Sequence, residues 1–183
     1  PYHQTITDNI AEQIISELEV KADYSVRRKK VIAFNNSNKF FKKGIALTPV
    51  KFGISFTATW YNQAGCLLHI YTDGSIYLNH GGTEMGQGLH TKMVSIVAEE
   101  FGIPISKVKV SATDTSKVPN TYATAASSGT DLNGMAVLNA SKTLKMRLSK
   151  VISDFYGTDN KTIQFKDGYV VFNGRKIRFE DLV

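Results

Sequence analysis

Two periodicities divide this chain. From Ile10 to Phe34 apolar residues recur at three- and four-residue spacing, first Ile10, Ile14, Ile15 and Leu18, then Tyr24, Val31 and Phe34. That period places them on one helix face. The pattern predicts a helix entered at Thr5 and Asp8 and running toward Val20, and a second from Ala22 to about Asn35, stopped by the polar run Asn35 to Asn38. Between Ile45 and Tyr61 the period changes to two: Val50, Phe52, Ile54, Phe56, Ala58 and Trp60 alternate with Lys51, Ser55, Thr57 and Thr59. Alternation predicts a strand. Asn62 to Gly65 reads as a turn, Cys66 to Tyr71 as a second strand, Asp73-Gly74 as a tight hairpin turn and Ser75 to Asn79 as a third strand, together an antiparallel meander.

Helical spacing returns at Met93, Val94, Val97, Ala98 and Phe101, and Gly102 with Pro104 ends that helix. Lys107 to Ala112 reads as a strand. Asp114 to Gly129 is dominated by Ser, Thr and Ala, and Leu132, Ala136, Ala140, Leu144, Leu148 and Val151 mark a long helix ending near Tyr156-Gly157. Lys161–Phe165, Tyr169–Phe172 and Lys176–Phe179, parted by Asp167-Gly168 and Asn173-Gly174, predict a small final sheet. The fold class expected is α+β, a strand meander packed with helices.

Composition narrows the function. With 183 residues and 42% hydrophobic content the chain can bury a sizeable core. It has no apolar run near the roughly 20 residues of a membrane span, and Pro1 to Asn9 lacks a signal-peptide layout, so a soluble, cytoplasmic protein is expected with no membrane partner. Cys66 is the only cysteine. An internal disulfide, a thiolate-held iron–sulfur cluster and a cysteine-rich zinc site are excluded within the chain, and beside Leu67 and Leu68 the thiol reads as a small buried hydrophobe. The net charge of +6 gathers at Arg27, Arg28, Lys29, Lys30, Lys39, Lys42 and Lys43. No nucleic-acid motif accompanies these residues, and a solvated helix face or a partner interface explains them; no nucleic-acid partner is expected.

The run from His80 to His90 holds Gly81, Gly82, Gly86 and Gly88 and leads into a helix. Glycine lets backbone approach a ligand closely, and a helix N-terminus presents unpaired amides, so this loop suits a phosphate or another electron-rich group. Thr124 to Asp131 has the same layout, with small residues and hydroxyls leading into the next helix. Two such ends converging could hold a polar, phosphorylated cofactor through main-chain donors. A sterically required glycine connection in the first case, and an N-capping loop using Ser128 or Thr130 in the second, explain the same residues without a ligand. His80, Glu84 and His90 match no metal-site spacing and read as turn-flanking residues, and Glu99-Glu100 as a solvated face.

With these loops and the Phe52–Thr59 segment, the chain resembles the xanthine dehydrogenase and aldehyde oxidase family of molybdenum hydroxylases. The motifs that carry the resemblance run from Lys51 to Thr57, Asn62 to Gly65, Tyr71 to Ser75, His80 to Gly88 and Asp131 to Gly134. They match the second molybdopterin-binding domain of a bacterial-type large subunit. The resemblance covers residues 1–157 as a portion of that domain and leaves 158–183 as a small β-rich segment packed on it. It implies that Met85, Gly86 and Gln87 form one cofactor contact and Ala125, Ala126 and Ser127 a second. Phe56 would pack on the substrate ring and Thr57 would contact the substrate near the metal. The implied reaction is oxidative hydroxylation of a purine such as hypoxanthine or xanthine, with molybdenum-molybdopterin in the complete enzyme and iron–sulfur clusters and FAD on other domains. Implied partners are the remainder of the molybdenum subunit, the iron–sulfur/FAD subunit and the purine. The family's catalytic glutamate, in a Gly-Val-Gly-Glu segment, has no match here, so the chain contributes no catalytic residue and no metal ligand and is expected to be inactive alone. The alternative is a non-catalytic cofactor-binding or scaffold domain.

Overall fold

In the computed structural model, residues 5–50, 52–117 and 121–183 are described. Residues 1–4, Lys51 and 118–120, with the parts of the expected signal-free N-terminus, alternating strand and Ser/Thr/Ala segment that fall on them, lie outside the described residues. The chain divides into two compact units, Pro1–Phe52 and Gly53–Val183.

The first unit carries α1 (Ala11–Lys21) and α2 (Tyr24–Ser37), broken at Asp23, whose φ of 49° is left-handed. Entry to α1 falls later than Thr5 and Asp8 suggest, because the Asn9 side chain takes the Ala11 amide. Neither helix has a buried residue. On α2 the apolar Tyr24, Val31 and Phe34 are half-buried while Arg27 to Lys30 are exposed, the division their spacing implies. The carbonyls ending α2 are met from beyond the helix: Lys42 Nζ donates to Asn38 O at 2.7 Å, and Lys43 Nζ lies 4.1 Å from the Phe34 ring centroid.

No strand forms within Ile45 to Tyr61 among the described residues. The alternating apolar side chains find no core, with Phe52, Ile54 and Trp60 68%, 57% and 72% exposed. Ser55 turns left-handed at φ 73°, and Thr59–Tyr61 form a 3₁₀ turn. Hydrophobic alternation makes a strand only where one face is covered.

The second unit is built on β1 (Cys66–Ile70), β2 (Ile76–His80), α3 (Leu89–Phe101), β3 (Val108–Val110) and α4 (Gly129–Tyr156). β1 and β2 are an antiparallel hairpin, and β3 lies parallel to β2. α3 supplies the long connection that a parallel pair requires. The antiparallel meander lies instead at the C-terminus: β4 (Gln164–Lys166), β5 (Tyr169–Phe172) and β6 (Arg175–Arg178), followed by the short α5 (Phe179–Leu182). The molecule is thus α+β, with one mixed and one antiparallel sheet.

α3 buries the stripe read from the sequence, with Met93, Val97 and Phe101 fully enclosed. On α4 the expected stripe packs on the core, with Ala140, Leu144 and Leu148 partly buried against it, and the most deeply enclosed residues lie one position further on. Asn133, Val137 and Ser141 are buried, whereas Val151 is 57% exposed. Gly134 is buried between α3 and α4: a Cβ there would meet Ile96 Cδ1 at 3.2 Å, so the two helices approach across a residue without a side chain. Glu100 is not simply solvated, because Lys145 Nζ reaches its carboxylate at 3.2 Å and its carbonyl at 2.7 Å. Val170, Phe172 and Phe179 of the C-terminal segment share one core with Phe101 and Leu78.

Cys66 packs half-buried against this core, and burial pushes its thiol up to about 12. A thiol reagent at pH 7.5 is expected to label the folded chain about a thousandfold more slowly than the urea-unfolded chain, since only thiolate reacts. Equal rates would contradict that environment. Among the described residues, no helix is long and apolar enough to cross a membrane.

Candidate functional site

β2 delivers the first loop directly into α3. His80 ends the strand and is 1% exposed. Gly82 leaves no room for a side chain, since a Cβ would come within 2.4 Å of Leu89 Cδ2 and 2.8 Å of Asn133 Nδ2. This close approach, rather than ligand access, accounts for that glycine. Gly86 and Gly88 have φ of 99° and 76° in open surroundings, so they provide the turn.

The second loop, Thr124 to Ser128, runs into α4. Ala126 and Ser127 are consecutive non-glycine residues at φ 52° and 53°, a conformation that costs roughly 1–2 kcal/mol per residue. Their amides have no acceptor among the described residues. Ser128 N-caps α4 in position only: its hydroxyl donates to Ala125 O at 3.2 Å and does not satisfy the helix amides. Nor is Thr130 a cap, being inside the helix.

The loops meet. Thr83 N–H donates to Thr124 Oγ1 at 2.8 Å, and between them lies a cleft of about 270 Å³ lined by Gln87, Leu89, Lys92, Thr124, Ser127 and neighbouring small residues. A third segment joins through main chain alone, Ser55 N–H to Ala126 O at 2.9 Å. Asn62 then clamps Phe56, its Oδ1 accepting from Phe56 N–H and its Nδ2 donating to Phe56 O. The half-buried Phe56 ring stands edge-on to Tyr122 with centroids 4.3 Å apart, and Tyr122 stacks on Tyr61 at 4.7 Å. Thr57 is exposed.

Of the residues the resemblance singles out, Gln87, Ala125 and Ser127 line the cleft. Met85 is 66% exposed beside it, Gly86 shapes the turn, and the Ala126 carbonyl makes the tie to Ser55. The Gln87 side chain folds back onto its own loop, accepting from Met85 N–H at 2.6 Å and donating to Thr83 O at 2.8 Å.

Two features escape the sequence reading. Lys92 brings a cation to the cleft from the first turn of α3 and has no ion pair among the described residues. Three of the amides that could have met an outside anion are occupied, because the Glu84 carboxylate accepts from Gly86, Gly88 and His90 N–H. An acid just ahead of a helix is a capping signal that could have disclosed this. His80 and His90 do more than flank a turn: Gly82 N–H donates to His80 Nδ1 at 3.1 Å, so the ring proton sits on Nε2 and is given to His90 Nδ1 at 3.0 Å. Among the described residues no cluster of His, Cys, Asp and Glu is arranged to hold a metal.

Fold and site together define a domain in which two small-residue loops, each leading into a helix, meet across a cleft. The chain belongs to the molybdopterin cofactor-binding domain family, whose profile matches residues 17–183. It is 50% identical over 150 residues to xanthine dehydrogenase of Dictyostelium discoideum and 53% identical over 130 residues to xanthine dehydrogenase/oxidase of Gallus gallus, covering 82% and 71% of this chain. It spans only about a tenth of the length of these relatives, 11% and 10%. Among solved structures, quinoline 2-oxidoreductase from Pseudomonas putida 86 shares the fold over 98% of this chain and 24% of its own, with a TM-score of 0.74 at 18% identity. Reconstituted CO dehydrogenase from Oligotropha carboxidovorans matches 66% of this chain and 15% of its own, with a TM-score of 0.60 at 20% identity.

The cleft has the chemistry such a cofactor needs. Hydroxyls of Thr124, Ser127 and Thr130 and the Lys92 ammonium line it without a carboxylate, and the open amides of Ala126 and Ser127 belong to the same loop. That donor set suits a phosphorylated pterin.

Proposed function

We propose that this chain is the part of a xanthine dehydrogenase-like molybdenum subunit that clamps the cofactor and positions a purine beside it. The observation that carries the reading is the cleft beside the Thr83–Thr124 hydrogen bond, lined by donors and a cation and, among the described residues, by no carboxylate. In this reading Gln87, Ala125 and Ser127 contact molybdopterin directly, Met85 and Gly86 form the approaching turn, and Ala126 holds the loop to Ser55. Lys92 offsets the phosphate charge. Phe56 offers a ring edge fixed by Asn62, and Thr57 an exposed hydroxyl one residue on. Molybdopterin, when bound, supplies the redox centre; the chain supplies orientation and exclusion of water. Residues 53–157 would carry the site, and the C-terminal sheet of 158–183 would brace α3 from behind.

The complete enzyme would draw its catalytic base, iron–sulfur clusters and FAD from the other nine-tenths of such a subunit or its partners. It would serve purine breakdown in the cytoplasm. Lys92→Ala in the complete subunit is expected to raise the cofactor concentration for half-occupancy about tenfold, the worth of one charge-assisted hydrogen bond, with unchanged Tm. Molybdenum analysis and pterin fluorescence read this, and unaltered occupancy would remove Lys92 from the site. The isolated chain is expected to show no xanthine oxidation; turnover without other subunits would overturn the division of labour. The alternative is a scaffold that holds the cofactor without reaction. A complete subunit that binds molybdenum but oxidises neither purine nor aldehyde would select it.

A further inference from the structure

Glu84 occupies the point in the first loop where an outside anion would be sought. Its Oε1 accepts from Gly86 N–H at 2.8 Å and Gly88 N–H at 3.0 Å, and its Oε2 accepts from His90 N–H at 3.0 Å. These amides, that of His90 foremost, hold the carboxyl below the usual carboxylate range. A second brace spans the same loop from inside. His80 takes the Gly82 amide on Nδ1 and passes its Nε2 proton to His90, which fixes the two ends of the turn to one buried ring. Between the braces Gln87 closes the middle of the loop on Met85 and Thr83.

We propose that Glu84 is a positioning residue, a built-in anion that takes the His90 amide in the first turn of α3 and sets the Met85–Gln87 turn in one shape before any ligand arrives. An anion is conventionally welcomed by open amides at such a helix entry; here those of Gly86, Gly88 and His90 are answered from within the chain. The first loop therefore meets its ligand by shape, and the charge at the cleft comes from Lys92. This deepens the cofactor-clamp reading, since the turn it shapes is the one given there to the cofactor.

The test needs no cofactor. In the 183-residue chain, amide signals of Gly86, Gly88 and His90 are followed by nitrogen-edited NMR, with hydrogen exchange and titration by inorganic phosphate. In the wild type these amides exchange slowly and phosphate leaves them unmoved. Glu84→Gln keeps the shape but loses the charge and one acceptor oxygen, so their exchange quickens about tenfold or more, while amides of β5 are unaffected. In Glu84→Ala, phosphate shifts the three signals saturably and slows their exchange again; should that variant not fold, Glu84→Gln alone decides. Wild-type exchange rates in Glu84→Gln, phosphate shifts at these amides in the wild type, or a folded Glu84→Ala indifferent to phosphate would each overturn the proposal. If the amides respond as stated but molybdopterin does not bind the complete subunit, the cofactor reading fails and the positioning role stands.

Discussion

Gly102→Ala is expected to cost about 3 kcal/mol of stability, read as a lower urea midpoint at unchanged slope. Two terms add. Gly102 closes α3 at φ 60°, where a side chain costs roughly 1–2 kcal/mol. Its new Cβ would also lie 2.6 Å from Phe165 O and 2.7 Å from Lys166 Cα. Those are backbone atoms of β4 and cannot rotate aside, so the strand must move, at about 1–3 kcal/mol for an overpacked site. The movement would be felt beyond the strand. Gly102 O accepts from Gly168 N–H at 2.6 Å, and the Phe101, Phe165 and Phe179 rings pack edge-on and tilted against one another nearby. A loss below about 1 kcal/mol, within the ordinary spread of surface substitutions, would show that the C-terminal sheet is not seated on α3 in this way.

Acid should weaken the protein well before its carboxylates titrate. Burial, reinforced by His90, lowers the His80 pKa from 6.5 to about 4. Above pH 6.5 the ring is neutral in both folded and unfolded chains and contributes no pH dependence. Between 6.5 and about 4 the unfolded chain takes up a proton that the folded one resists, so stability falls as pH falls, by up to about 3 kcal/mol at the lower end. Asp114, held at about 2 by Lys117 and Ser116, loses its contribution only below the usual aspartate range, which keeps the two windows apart. Urea unfolding at pH 7 and pH 4.5 measures the effect. His80→Asn, whose Oδ1 can still accept the Gly82 amide, should flatten the profile in that interval; a wild-type profile already flat there would mean the ring is solvated.

What could be read from the chain alone follows from where each feature's cause lies. The α3 stripe was legible because its period and its stop at Gly102 and Pro104 are both local. Along α4 the stripe was legible through Ala140, Leu144 and Leu148, but not the burial of Asn133 and Ser141 beside it, which depends on how closely another helix approaches. The strand foreseen from Ile45 to Tyr61 failed for the opposite reason. Alternation was present, yet among the described residues Phe52, Ile54 and Trp60 stay exposed and Phe56 is covered by Tyr122, while Asn62 and Ala126 take the main-chain groups of Phe56 and Ser55. For the site, two small-residue loops leading into helices could be foreseen, and their meeting at Thr83 and Thr124 is a fact of the three-dimensional chain. The Glu84 brace depends on left-handed turns at Gly86 and Gly88 that fold the carboxylate back over its own loop. Spacing records the residues of such a loop but not its path.

The bond from Ser55 N–H to Ala126 O joins the aromatic segment to the second loop without using a side chain from either residue. Such a joint is indifferent to most exchanges of side-chain chemistry. It asks only that position 55 keep an amide hydrogen and tolerate φ near 73°, which excludes proline and favours glycine, asparagine or aspartate. The aromatic wall and its neighbouring hydroxyl can therefore be altered, by selection or by design, while the spacing of the gripping loop stays as it is. Under the proposed function, a family built on this joint could change what it acts on without rebuilding the loop that would hold its cofactor.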